Sequence, residues 1–284
     1  MLRSRNYAPS AALAPYIARH YILSVNAPDS FELTDQLLSE TAFIRILMKG
    51  EWSAETAPGE WRNVGPMVFF GPNSKPLKVR VRGGFTVVGI AICPAAWRAL
   101  FDGLASDYTD RMLSFGDLWG EGSARFHAAI AARDGDDDQA IIATIEQFFS
   151  ERLSVRGWQP PSNAMQAFEL IARNESTTLI SDAASHIGLS QRQMERQCKA
   201  YFGMSPKAIL ARSRFLDTAS AIRSLSQPSE EQLASLRYYD QSHQNREFRR
   251  FIGMTPRQFA QTPTPLLTAG LELRNLRKRE GSAS

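Results

Sequence analysis

The sequence predicts an α+β chain. A β-rich front domain comes first, and an all-α domain with two helix-turn-helix units joined by a long helix follows. Three observations predict this. Short runs of β-branched and aromatic residues, punctuated by Gly and Pro, fill the first ~95 residues. Helical spacing of apolar residues replaces them after Pro94. A turn glycine followed by a capped helix occurs at Gly203 and again at Gly253, 50 residues later. At ~150 residues per domain, 284 residues suit about two domains.

The front half opens with residues 11–20, whose composition predicts a short helix. Strands are expected over 41–48, 67–70, 77–82 and 85–93, separated by Gly50, Pro58 and Gly59, Gly65 and Pro66, Gly71 and Pro72, and Gly83 and Gly84. Short strands with turn signals at this spacing predict a small barrel or sandwich. Helices are expected over 95–101, 121–133 and 137–153. In the last of these, Ile141, Ile142, Ile145, Phe148, Phe149 and Leu153 form one stripe. The acidic loop Asp134, Asp136, Asp137, Asp138 lacks the spaced ligands and distal Glu of a calcium loop, so it reads as a solvated turn feeding a helix N-terminus.

Pro160 and Pro161 forbid helix across the junction, so the boundaries expected are 1–157 for the sensor or dimerisation domain, 162–261 for the helical domain and 262–284 for a basic tail. In the tail, 266–279 reads as a frayed basic helix. Within the helical domain, Ile180, Ala183, Ala184 and Ile187 form an apolar face. Gly188 suits the turn, and Ser190 with Gln193 makes a capping box for a helix over 191–202. Met194, Cys198, Tyr201 and Phe202 face inward on that helix, and Arg192, Glu195, Arg196 and Lys199 face outward. Arg can bond guanine bidentately and Glu can accept from cytosine, so this face has the chemistry of major-groove reading. An amphipathic helix merely solvated on that face would look the same in one copy.

The second copy changes that balance. A short helix over 230–236 is followed by Arg237, Tyr238 and Tyr239. Asp240 then caps a helix over 241–251 with Phe248, Phe251 and Ile252 inward. Gln241, Ser242, Asn245 and Arg246 face out near its start, and Arg249 and Arg250 further along. Both outward-facing helices end in Gly-Met-(Ser/Thr)-Pro, at Gly203–Pro206 and Gly253–Pro256, where Ser or Thr caps the next helix and Pro takes its first position. Residues 206–223 form the joining helix, about 27 Å long at ~1.5 Å per residue. That length can set two reading helices about one DNA turn apart.

The motif pair formed by Ala184, Gly188, Ser190 and Arg196, and by Asp240, Gln241, Ser242, His243, Arg246, Phe248 and Gly253 to Pro256, resembles the AraC/XylS-type DNA-binding domain over residues 162–261. The resemblance implies a monomeric unit with two helix-turn-helix subdomains and a role in transcription. It implies base-facing positions at Arg192, Glu195 and Arg196, then at Gln241, Ser242, Asn245 and Arg246. The stretch from Val88 to Pro94 is similar to the sensor half of some members. Three departures stand out: Cys198 where a larger core residue is usual, no Gly before the aromatic pair at 238–239, and Gln244 where an aromatic is usual. Cys198 reads as a small core residue and His243 as a structural or phosphate-adjacent one.

Composition fits this and excludes others. Residues 1–157 carry 16 Lys and Arg against 18 Asp and Glu, whereas 158–262 carry 13 against 9. A basic rear half behind an acidic front half suits double-stranded DNA. Two cysteines and four scattered histidines exclude a disulfide framework and a histidine or cysteine metal centre. No run of ~18 apolar residues exists. Asn6, Pro9 and Pro15 interrupt the basic start, so export and membrane binding are not expected and the cytoplasm is. The expected function is sequence-specific transcription regulation without catalysis, cofactor or metal. The expected partners are DNA, an unknown small-molecule effector, RNA polymerase and a second copy. Lys78, Arg80 and Arg82 share a strand face that could meet an anionic effector, although a solvated face explains them better. Trp52, Trp61, Phe69, Phe70, Phe85 and Trp97 supply core or pocket wall. Two rivals remain: a metal-dependent small-barrel enzyme, and a regulator that works by protein contacts alone.

Overall fold

The computed structural model describes residues 2–63, 65–226 and 241–281. Among the described residues, eight antiparallel strands form one sheet: β1 (Arg3–Tyr7), β2 (Ile17–Val25), β3 (Glu32–Leu37), β4 (Phe43–Ala57), β5 (Glu60–Asn63), β6 (Met67–Phe70), β7 (Leu77–Ile92) and β8 (Met112–Ser114). Its path is β1-β2-β7-β4-β6-β8, with β3 paired to β7 and β5 to β4. The path is open, so the expected barrel or sandwich is one bent sheet.

The bend has a local cause. Strands β4 and β7 pair along most of their length, with register shifts between Leu47 and Glu51. Gly50 lies there with φ +94°, against Gly84 and Phe85, and Gly83 beside them has φ +65°. A Cβ on Gly50 would sit 2.7 Å from that of Phe85, so only glycine permits the approach. The two strands expected over 77–82 and 85–93 are therefore halves of β7, one paired with β3 and the other with β2. Residues 11–16, part of the expected helix, make turns that lead into β2, which pairs with β7 from Ile17 to Val25. The pairing with β7 outweighs the local preference.

Alternation along β7 builds two cores. Val88, Ile90 and Ile92 face a cluster with Trp97, Phe101, Phe115 and Phe149. The helices on this side are α1 (Trp97–Leu100), α2 (Phe115–Trp119), α3 (Glu121–Ala131) and α4 (Asp138–Val155). Asp137 Oδ1 caps α4 by accepting from Ala140 N at 3.0 Å, and Asp138 pairs with Arg5 at 2.6 Å. Val79, Val81, Phe85 and Val87 face the other way, against Leu266 and Ala269.

Those two residues belong to the last helix. After α5 (Asn163–Asn174), α6 (Ile180–His186), α7 (Gln191–Phe202), α8 (Pro206–Ile222), α9 (Gln241–Ile252) and α10 (Pro256–Gln261) comes α11 (Pro265–Gly281). The tail expected to fray is thus a docked helix. One side meets the sheet through Leu266 and Ala269, and another meets α8 and α9 through Leu267 and Leu271. Asp35 of β3 accepts from Leu266 N at 2.7 Å, holding a backbone donor of the first turn.

A buried ion network fixes this docking. Glu40 pairs with Arg274, with Arg277 at 3.2 Å and with Arg173 at 3.6 Å. Asp217 of α8 pairs with Arg274 at 3.0 Å and Lys278 at 2.5 Å, and Glu169 of α5 pairs with Arg277 at 2.6 Å. Burial alone would raise the Glu40 pKa, but Arg274, Arg173, Arg277 and Arg212 outweigh it and hold the carboxyl below its ordinary range.

Candidate nucleic-acid interface

The first helix-turn-helix is built from small contacts. Ala183 and Ala184 of α6 are buried where α7 crosses, and Met194, Cys198 and Phe202 fill the inner side. Gly188 turns the chain with φ +70°, and Leu189 N donates to Ala184 O at 2.9 Å. Ser190 Oγ then accepts from Gln193 N at 3.3 Å while Gln193 Oε1 accepts from Ser190 N at 2.9 Å. This is the expected capping box, a feature whose loss costs about 1 kcal/mol. Cys198 is fully buried, and burial pushes its thiol well above the ordinary range, which fits core packing.

That packing turns the opposite side of α7 outward. Arg192, Arg196 and Lys199 are exposed. Glu195 is half-buried and pairs with Lys199 at 3.4 Å, a surface ion pair of small worth that leaves both groups available.

The second unit repeats the plan. Phe248, Phe251 and Ile252 of α9 are buried against Phe215 of α8 and Phe259 of α10. Asn245 is half-buried, and Arg246, Arg249 and Arg250 are exposed. Gln241 and Ser242 open α9, but their side chains, like that of His243, lie outside the described residues. So do the expected helix over 230–236, Arg237, the aromatic pair and the Asp240 cap. The repeated Gly-Met-(Ser/Thr)-Pro does in both places what its residues suggest. Gly203 and Gly253 end helices at φ +75° and +69°. Ser205 caps α8 and Thr255 caps α10, with Pro206 and Pro256 in the first turn.

Helix α8 belongs to both units. Ile209 and Leu210 complete the first core, and Ala211, Phe215, Leu216 and Ala219 the second. Its Arg212 is buried, donating to Asn73 O at 2.8 Å and Glu40 O at 2.6 Å of the front domain. The first unit also rests on the front domain directly: Thr109 Oγ1 donates to Gly203 O at 2.9 Å, and Arg98 lies over the Tyr201 ring. A Cβ on Gly203 would come 2.3 Å from Thr109 Oγ1, so this glycine serves both the helix end and the domain contact. The first of these roles is visible in the sequence; the second depends on a partner 94 residues away.

Elsewhere the expected groups sort out plainly. Lys78 pairs with Glu55, Arg82 with Glu32, and Arg80 with Glu32 while lying over the Trp61 ring, so carboxylates occupy this face. Trp52, Phe69, Phe70, Phe85 and Trp97 are buried, while Trp61 is only partly covered. Among the described residues no three His, Cys, Asp or Glu side chains converge as a metal site would need. None of their helices is long and apolar enough to cross a membrane.

Residues 183–262 match the family described as a helix-turn-helix domain, and residues 5–114 match a domain of unknown function, DUF6597. No sequence among curated proteins matches the chain. Among solved structures, apo ToxT from Vibrio cholerae is similar at 10% identity, covering 85% of this chain and 96% of that one with a TM-score of 0.47. ToxT of the same organism bound to an unsaturated fatty acid is 11% identical, covering 92% and 94% with a TM-score of 0.42. The AraC-like transcriptional activator CuxR is 13% identical, covering 75% and 86% with a TM-score of 0.23. Such distant likenesses bear on neither ligand nor mechanism. The helix-turn-helix match, which spans both units, identifies residues 183–262 as an AraC-type helix-turn-helix domain.

Proposed function

We propose that this AraC-type, DNA-binding transcription regulator reads two adjacent major-groove segments, one through α7 and one through α9. In α7 the base-facing residues are Arg192, Glu195 and Arg196, with Lys199 on phosphate. In α9 they are Gln241, Ser242, Asn245 and Arg246, with Arg249 and Arg250 on the backbone. The observation that carries the reading is the recurring helix, buried on one side and exposing arginines on the other, with the same Gly-Met-(Ser/Thr)-Pro exit and packed once on each half of α8. A solvated amphipathic helix has no reason to recur with the same exit motif and the same shared core. We further infer that a small molecule held by the front domain modulates this binding, because the front domain grips α8 and α11 directly.

The test is titration on an operator found by genome-wide occupancy. Affinity should fall with salt by about −0.9 per phosphate contact on a log–log plot. Arg196→Ala should cost about 1–3 kcal/mol and relax preference at one or two base pairs. Lys199→Ala should weaken all sequences alike. Unchanged base preference in Arg196→Ala would remove Arg196 from the reading face.

A further inference from the structure

Arg45 stands on β4 with Phe43, Ile44, Ile46 and Leu47 around it in sequence, and its side chain is 2% exposed. Its guanidinium lies 4.4 Å from the centre of the Trp52 ring and 5.1 Å from that of Phe70. Stacking of this kind compensates the face of the cation but not its edge, which carries five in-plane N–H donors. None of the three guanidinium nitrogens finds an acceptor among the described residues, and no carboxylate there lies within ion-pair reach. Burial accordingly pushes the Arg45 pKa down to about 9. The neighbouring Trp52 Nε1 is a second buried donor without an acceptor.

Both residues line one cavity, of about 100 Å³, between the sheet and α11. A water needs roughly 10–15 Å³ on this measure, and an engineered apolar cavity of about 150 Å³ binds benzene. The walls are otherwise largely apolar, with Leu23 and Val87 from the sheet and Leu266, Ala269 and Leu273 from α11. Room for Tyr21 beside Arg45 comes from Gly89, which lies between them across the strands. A Cβ there would strike the Tyr21 ring at 1.8 Å. The cavity also touches Arg274 and Arg277, but those cations already face Glu40, Asp217 and Glu169. One uncompensated cation calls for a monoanion. A planar guanidinium edge suits a carboxylate bidentately, and the remaining walls suit an apolar body.

We propose that the cavity between the sheet and α11 is a binding site for a small apolar carboxylate, with Arg45 as its charge partner. The proposal deepens the reading that the front domain holds an effector, and rests on it. The ligand would lie against the sheet on one side and α11 on the other. Since α11 also packs on α8 through the second core, occupancy of the cavity acts on the helix that spaces the two reading units.

The experiment uses the full chain with octanoate and benzoate as probes, each against its neutral amide, followed by thermal shift and calorimetry. Inorganic phosphate at matched ionic strength is the control. The acids should raise Tm with concentration and bind at least tenfold more tightly than the amides, and phosphate should do neither. Arg45→Met should erase the preference for acid over amide. Ala269→Leu, at a buried position that lines the cavity, fills space there with Arg45 untouched and should abolish binding of both. It keeps the test decisive if Arg45→Met fails to fold. Equal binding of acid and amide, a phosphate shift as large as the acids', acid binding that survives Ala269→Leu or Arg45→Met, or no binding at millimolar probe would each overturn the site. DNA binding of the unliganded chain is measured in parallel. Its presence without carboxylate binding sinks only this site, and its absence sinks the reading of α7 and α9.

Discussion

Asp35 accepts three backbone N–H groups, from Gln36 at 2.7 Å, Leu266 at 2.7 Å and Leu267 at 3.4 Å, in a place where burial still pushes its pKa up to about 6. A carboxyl whose folded pKa lies above its unfolded one favours the folded state at low pH. That contribution is complete below about pH 4 and is lost as pH rises through 6. Asp35→Asn cannot ionise, so its stability relative to the natural chain should rise by about 2 kcal/mol between pH 4.5 and 7.5. Urea denaturation at the two pH values reads this directly, and a constant difference would place Asp35 in an ordinary environment. Glu40 has the opposite character. Glu40→Gln leaves Arg274 and Arg277 buried with part of their counter-charge gone, an arrangement that costs about 3–5 kcal/mol; denaturation at pH 7 measures it. The exposed face of α7 was legible in the sequence because helical period alone separates Arg192, Arg196 and Lys199 from Met194 and Cys198. Asp35 and Glu40 were not, because their partners lie more than 130 residues away. Arg45 did leave a trace: it is the single charge inside the run from Ala42 to Met48.

Helix α8 has 17 residues, about 26 Å, with no Gly or Pro after its first position and a core on each side. Bending it would break backbone hydrogen bonds and both packings. The two DNA contacts should therefore be intolerant of respacing. An insertion of about 5 base pairs between them turns the second to the opposite face of the duplex and should reduce binding to what one unit supplies. Footprinting and titration with and without the insertion check this, and unchanged affinity would mean that one unit reads alone. Helix ends were the most legible part of the chain, because Ser190 with Gln193, Ser205 with Pro206 and Thr255 with Pro256 write them locally. Strands β1 and β3 carry no apolar alternation and exist through pairing with β2 and β7, which no local pattern announces. The Gly83 and Gly84 pair, which looks like a strand break, is a bend because β4 pairs with β7 on both sides of it.

At the scale of the whole molecule, α11 covers the sheet face opposite α1–α4, fills one wall of the cavity and closes the second helix-turn-helix core. A chain ending at residue 262 loses Leu266, Leu267, Ala269 and Leu271 from two cores, together with Arg274 and Arg277 from the ion network. Such a chain should show a lowered Tm and bind a hydrophobic dye, whereas removal of a fraying tail would change neither. Circular dichroism melting and dye fluorescence distinguish the two. In the sequence, Leu266, Leu267 and Leu271 among basic residues gave the helix. They did not give its destination, which is set by a sheet some 180 residues upstream.

That separation has a consequence for how the chain is made. Strand β7 ends at Ile92, and its covering residue Leu266 follows 174 residues later. At roughly 5–20 residues per second on the ribosome, the odd face of the sheet, with Val79, Val81 and Val87, emerges about 10–35 s before its lid is synthesised. The nascent front domain therefore passes through an interval with one finished core and one uncovered apolar surface. Its yield in the cell should depend on chaperone capacity, and slower translation downstream of β7 should lower it.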